Sequence, residues 1–318
     1  MPFTVSHPAA VLPLMRRPFV PAALVAGAVA PDVPYFLARL GMSETSPQDW
    51  YGPLLNATET HSFDAGLLVN MPFAVGLVAV YRMLRAPVTA LLPAGLGLPE
   101  PERVPGLRAR ARYTMWLLIS ALIGIASHLA WDSFTHGDGF LVTHMEALRA
   151  SALGGLTVAR LLQYVSTAFG LVAVAVHLWR RRGRLRTRVG TVTRLGPVMR
   201  WSVVGLLVLT PVVGGAVDAR ADFDAYRHVT EVDYSRPTTV DLGDGASETT
   251  YPSTTDRAPW GTLAEGVLTG VATRAGAAFA VALLLYATAW QIGTATRRPA
   301  RRTGSALSVR SPTPPPSG

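Results

Sequence analysis

Two residue types are missing from this chain of 318 residues, and charge is scarce. Cysteine is absent, which excludes disulfides, thiolate metal sites and cysteine nucleophiles; any metal must therefore be held by His and carboxylate. Lysine is absent as well, all 29 basic residues being Arg, a bias we attribute to base composition and give no functional weight. Only 15% of residues are charged and 49% are hydrophobic, whereas a soluble domain carries roughly a quarter charged residues. With a mean hydropathy of +0.29, the chain falls among membrane proteins. Its length would allow two soluble domains, but the apolar runs favour one helical bundle with loops. The net charge of +9 comes without a recognisable nucleic-acid-binding motif. Its arginines cluster beside apolar runs, as membrane orientation and anionic lipid explain. Membrane lipid, not nucleic acid, is the expected partner, and the oligomeric state is left open.

Windows of roughly 20 apolar residues can cross a bilayer. Five are clear: Asp64–Tyr81, Tyr113–Trp131, Leu156–Trp179, Trp201–Val217 and Leu263–Ile292. Pro18–Leu40 is a weaker first window, interrupted by Pro31-Asp32-Val33-Pro34. The fold expected is all-α, a polytopic helical membrane bundle of five or six spans. Tyr113, Trp116, Trp131, Trp179, Trp201 and Trp290 lie near span ends, as an interfacial aromatic belt requires.

Arginines fix the expected orientation. Arg82, Arg85, Arg103, Arg108, Arg110 and Arg112 share one loop, eight more fill positions 180 to 200, and five follow the last span. Counting Pro18–Leu40 as a span puts all three segments on one side, cytoplasmic by the positive-inside rule. The opposite side receives Asp218–Pro259, with nine Asp or Glu against four Arg, an exposed segment that could carry short strands. The chain thus divides into a site-bearing region (1–150), three further spans (151–296) with an acidic extracytoplasmic loop (218–262), and a low-complexity, disordered cytoplasmic tail (297–318). A multi-pass protein of the plasma membrane is expected. Met15-Arg16-Arg17 followed by Ala28-Val29-Ala30 mimics a twin-arginine leader. Pro31 directly after the cut, and the apolar stretch before the arginines, favour a retained segment.

The densest chemistry runs from Ser127 to Gly139. His128, Asp132 and His136 are spaced by four, so a continuing helix puts them on one face. Imidazole and carboxylate at that spacing suit Zn or another divalent transition metal. Thr135, Gly137 and Gly139 are also able to end the helix, which would let His136 swing away. His61, in Thr60-His61-Ser62, opens the next-earlier span on the face where His128 and Asp132 emerge. Asp64 reads as a helix-start carboxylate. Asp32 stands between two prolines: Pro31 breaks the helix and Pro34 prevents a clean restart, presenting the carboxylate at a helix terminus. A carboxylate so close to hydrocarbon needs a partner.

Two placements are open for His7. Ser6 or His7 caps a helix with Pro8 at its first position. If Pro18–Leu40 spans fully, His7 lies on the wrong side. If instead Pro8–Met15 descends, the arginines turn and Val20–Ala30 returns, a short hairpin brings His7 and Asp32 together at its open end. His144, Glu146, His177 and His228 have no partner spacing.

Met1-Pro2-Phe3-Thr4-Val5-Ser6-His7-Pro8, Ala30-Pro31-Asp32-Val33-Pro34-Tyr35, Thr60-His61-Ser62 and His128-Leu129-Ala130-Trp131-Asp132-Ser133-Phe134-Thr135-His136 together resemble a bacterial membrane-protein family known by a domain-of-unknown-function label. The resemblance covers about the first 290 residues. More distantly, the chain resembles membrane-bound metal-dependent hydrolases and, more weakly, zinc-dependent phospholipase C-like helical enzymes. That likeness implies His7, Asp32, His61, His128 and Asp132 as ligands, with His136 as a further candidate. Thr58-Glu59 stand where those hydrolases often carry His-Arg.

Three functions compete. A metal-dependent hydrolase would act on phosphoester or lipid-linked substrates, with Asp32 or Asp64 accepting the proton of the attacking water. A non-catalytic protein would use the cluster as a structural metal or hydrogen-bond clamp. A transporter would need ionisable residues along a path, yet the middle of the last three spans offers only Arg160, Arg274 and Gln163.

Overall fold

The computed structural model describes residues 4–42, 56–62, 66–93, 96–98, 104–153, 156–183, 195–233, 235–241 and 247–296. A 3-10 helix, Thr4–Leu14, comes first. It is followed by α1 (Pro21–Val29), a 3-10 turn (Ala30–Asp32), α2 (Val33–Ala38), α3 (Ala57–Thr60), α4 (Gly66–Leu91) and α5 (Leu107–Thr135). Two short helices, α6 (Phe140–His144) and α7 (Glu146–Arg149), lead into α8 (Val158–Arg181) and α9 (Pro197–Ala216). Then come α10 (Ala219–Tyr226), strands β1 (His228–Val232), β2 (Thr238–Asp241), β3 (Ser247–Thr250) and β4 (Ser253–Arg257), and finally α11 (Trp260–Thr296).

Six segments are long and apolar enough to cross a membrane: Pro21–Ala38, Gly66–Leu91, Leu107–His144, Val158–Arg181, Pro197–Tyr226 and Trp260–Thr296. The chain is a polytopic helical membrane bundle. Its lipid-facing surface is carried by large apolar side chains such as Phe169, Leu178, Leu206 and Leu285, all more than half exposed. The acidic segment forms α10 and two antiparallel strand pairs, β1 with β4 and β2 with β3. The tail from residue 297 lies outside the described residues.

The N-terminal segment takes the hairpin arrangement. Pro8 and Pro13 lie inside the first helix, where each removes a donor that an α-helix would use; the segment winds as a 3-10 helix, not as an α-helix capped by Ser6 or His7. The chain then turns at the exposed Arg16 and Arg17. α1 begins with Pro21 at its first turn, and the Val20 N–H ahead of it donates to Ser120 Oγ (3.0 Å).

α1 packs against α5 with the two chains running parallel and offset by 100 residues: Val20 meets Ser120, Leu24 meets Gly124 and Ala28 meets His128. The close approach depends on two glycines. A Cβ on Gly27 would sit 2.1 Å from the Ala121 carbonyl oxygen, and one on Gly124 would sit 2.3 Å from that of Leu24. Small residues let membrane helices pack backbone to backbone where apolar burial gives little drive. The core beside this contact is correspondingly fine-grained, built from Ala23, Ala26, Ala30, Ala74, Val78, Ala121, Ile125 and Leu129.

One local expectation is corrected. Pro31 does break α1, but Pro34 does not prevent a restart: α2 resumes at Val33 with Pro34 in its first turn, where a missing N–H leaves no helical bond unmade. Asp32 ends the intervening 3-10 turn and is 1% exposed.

Candidate metal centre

His128, in the last third of α5, is completely buried. Its Nδ1 lies 2.9 Å from the Ala28 carbonyl oxygen, and since a carbonyl only accepts, Nδ1 carries the proton. The lone pair of Nε2 therefore points away from α1. Asp132 follows one turn later, with its Oδ2 at 3.0 Å from that nitrogen. The helix ends at Thr135, but His136 does not swing away. As C-cap it adopts an extended backbone and its N–H donates to the Asp132 carbonyl (3.0 Å). Its Nδ1 stays 3.5 Å from Asp132 Oδ1.

His61 is fixed in the same manner as His128. It closes α3, and its Nδ1 faces the Ala57 carbonyl at 2.9 Å. The Nε2 then stands 3.5 Å from Asp32 Oδ1 and 3.5 Å from Asp132 Oδ2. His128 Nε2 is 3.6 Å from Asp32 Oδ1. From the 3-10 helix, His7 stacks on the His128 ring with centroids 3.8 Å apart and points Nε2 at Asp132 Oδ1 (3.6 Å). The structure thus brings His7, Asp32, His61, His128, Asp132 and His136 together. Asp64 lies outside the described residues. His144 turns instead to the Phe140 carbonyl (2.7 Å) on an exposed helix, and Glu146 and His228 are exposed elsewhere.

Two polar residues hold this arrangement without joining it. The Thr60 hydroxyl donates to the Pro31 carbonyl (3.0 Å), tying α3 to the break that carries Asp32. Asn70, fully buried in α4, donates through Nδ2 to the Thr60 carbonyl (2.6 Å) and to the Gly66 carbonyl (2.8 Å). Nothing in the sequence pattern gave Asn70 a role, although a lone amide in an apolar span was signal enough to look for one.

Eight buried atoms of the cluster make no hydrogen bond: His7 Nε2, both Asp32 oxygens, His61 Nε2, His128 Nε2, both Asp132 oxygens and His136 Nδ1. At His61 and His128 the conflict is explicit. Their Nδ1 protons are committed to carbonyls, so in the neutral imidazole each Nε2 is an acceptor facing carboxylate acceptors. A proton on Nε2 or a metal ion between the groups would relieve the conflict, since unpartnered buried polar groups cost about 1–3 kcal/mol each, more when charged. The spacing at most of the contacts suits a metal ion better than a proton. Charge-assisted N–H···O bonds are about 2.7–2.9 Å long, whereas five of the six imidazole–carboxylate separations are 3.5–3.6 Å. Ligands bonded at about 2.0–2.2 Å in a tetrahedron stand about 3.3–3.6 Å apart. The donor set and its spacing fit a divalent metal. A metal-binding imidazole also normally donates its other N–H to a carbonyl or carboxylate, as His61 and His128 do.

A cleft of about 990 Å³ opens onto the cluster. His61, Asp132 and His136 form its polar end; Ser62, Ser133, Thr143 and Asp138 add hydroxyls and a second carboxylate, while Tyr35, Leu129, Phe140 and Leu141 supply apolar wall. Asp138 has no helical spacing to the ligands, and only the turn after α5 brings it to the cleft.

The model of the family described as Domain of unknown function (DUF4184) matches residues 1–288. No curated protein matches the chain, and no solved structure does. The more distant likeness to hydrolases therefore gains no support from comparison, and a chemical reading must stand on the site itself. The chain belongs to the DUF4184 family.

Proposed function

We propose that this DUF4184 member is a membrane-embedded, metal-dependent hydrolase of phosphoester or lipid-linked substrates, with zinc as the expected ion. The carrying observation is the convergence of eight unbonded nitrogens and oxygens at the end of an open cleft. A divalent ion held there would act as a Lewis acid and lower the pKa of the water it binds to about 7.

The chain's own residues divide the remaining work. His61 and His128 present fixed lone pairs, and Asp32 and Asp132 balance positive charge. Asp138, on the cleft wall and outside the ligand cluster, is the carboxylate placed to accept a proton from attacking water. Asp32, 1% exposed and absent from the cleft wall, is better used as a ligand. Ser62, Ser133 and Thr143 offer hydrogen bonds to a polar headgroup; Phe140, Leu141 and Tyr35 offer contact to an apolar chain.

A purely structural clamp needs a closed site. The side chains of His61 and His136 keep 18% and 22% of their surface exposed, which favours an accessible centre. Transport receives less support, because the charged residues of the last spans are paired in place: Arg160 with Glu265 and Arg274 with Asp222. The Arg-rich ends are assigned to the cytoplasm by the positive-inside rule, which puts the centre at the extracytoplasmic face of the plasma membrane. Purified protein should hydrolyse phosphoester or lipid-linked substrates, lose activity on chelation and regain it with added Zn. Metal-replete, folded protein inert across a broad substrate panel would leave the clamp as the better account.

A further inference from the structure

We propose that the centre binds two divalent ions, with Asp132 as the carboxylate that bridges them; this rests on the metal reading above. The facing relations sort the six residues by the two oxygens of one side chain. His7 Nε2 and His136 Nδ1 face Asp132 Oδ1, at 3.6 and 3.5 Å. His61 Nε2 and His128 Nε2 face Asp132 Oδ2, at 3.5 and 3.0 Å. Asp32 Oδ1 stands only on the second side, 3.5 Å from His61 and 3.6 Å from His128.

A single ion does not account for this. Ligands bonded at about 2.0–2.2 Å can be no more than about 4.4 Å apart, even on opposite sides of the ion. Among the described residues, ligand atoms lying within 4.8 Å of one another form two sets that share His128, His7–His128–Asp132 and Asp32–His61–His128, and His136 belongs to neither. The six residues do not form one set. A carboxylate that turns one oxygen to each of two imidazole pairs is the geometry of a bridge, and ions so bridged sit about 3.5–4 Å apart. One position would take His7 and Asp132 Oδ1, with His136 turning in from the C-cap to reach it; the other would take Asp32, His61, His128 and Asp132 Oδ2.

The consequence reaches the substrate. Paired ions at that spacing can hold both the attacking and the leaving oxygen of an in-line displacement, which favours the phosphoester among the substrates proposed above. It also explains why His7 is delivered by a separate 3-10 segment: the first position has no other ligand from outside α5 and its C-cap.

Full-length protein, purified and loaded with Mn(II), tests this by metal analysis and electron paramagnetic resonance. About two equivalents per chain and an exchange-coupled spectrum are expected from the wild type, which needs no variant to fold. His7→Ala with His136→Ala should fall to about one equivalent and give the six-line signal of isolated Mn(II). Asp32→Asn with His61→Ala should also fall to about one. Wild-type protein saturating at one equivalent with an uncoupled signal would overturn the two-ion centre and leave the hydrolase reading standing. No bound metal at all would overturn both.

Discussion

The two halves of the bundle treat buried charge in opposite ways. In the C-terminal half two arginines meet carboxylates of neighbouring helices: Arg160 pairs with Glu265, to which Tyr164 also donates (3.1 Å), and Arg274 pairs with Asp222. In the N-terminal half two carboxylates and four imidazoles converge with their inward-facing atoms unbonded. Paired charges hold helices together and ask for nothing further. Unbonded nitrogens and oxygens facing one another leave room for a cation, and the proposed function is placed in the N-terminal half for that reason.

The largest effect expected from breaking that contrast is on turnover. Asp132→Asn should lower hydrolysis by about 10²-fold or more, since losses around a ligand alone cost ten- to a hundred-fold. The wild-type rate should climb with pH through an inflection at about 7, where zinc-bound water ionises. Steady-state rates of both proteins from pH 5 to 9 check this; a flat profile would argue against water activation by the metal.

Much of the centre could be read before the fold was known, because it is local. The i, i+4 spacing of His128, Asp132 and His136 survives intact on α5, even though His136 is already the C-cap. Asp32 and His61 were readable because polar residues at the ends of apolar runs are costly. What was not legible is tertiary. Hydropathy does not separate a short 3-10 hairpin from a full span, so the side on which His7 lies was undetermined. The 100-residue offset of α1 on α5 is set by Gly27 and Gly124, two glycines among 29, and nothing local marks them. Asn70 and Thr60 act through backbone carbonyls, and Glu265 lies near the start of its span, where a carboxylate is ordinary.

Packing should give the next effect. Gly124→Val would push a side chain into the Leu24 carbonyl and Ala28 N–H, and overpacking of this kind costs about 1–3 kcal/mol. Thermal unfolding in detergent should show the loss, together with reduced metal content, because Ala28 also orients His128. Gly76→Val, where a Cβ meets nothing within 4 Å, is the control and should behave as wild type.

Thr60→Val sharpens the comparison by leaving all six ligands in place. It removes the bond to the Pro31 carbonyl and should weaken metal binding by roughly ten- to a hundred-fold, the range for residues behind a ligand. Competition with a fluorescent chelator reads this directly, and unchanged affinity would show that α3 needs no such tie. The smallest effect belongs to the other half. Replacing Arg160 and Glu265 together by Ala should cost on the order of 1 kcal/mol, as interhelical polar contacts in membranes do, with metal content and turnover unaltered. A fall in metal content there would mean the halves are coupled.

The central claim is that the N-terminal cluster is held together by metal, and elemental analysis of the purified protein tests it most directly. The wild type should carry tightly bound divalent metal, while a His128→Ala, Asp132→Ala variant should carry none. A wild-type protein that is metal-free, fully folded and indifferent to chelator in thermal unfolding would contradict the account.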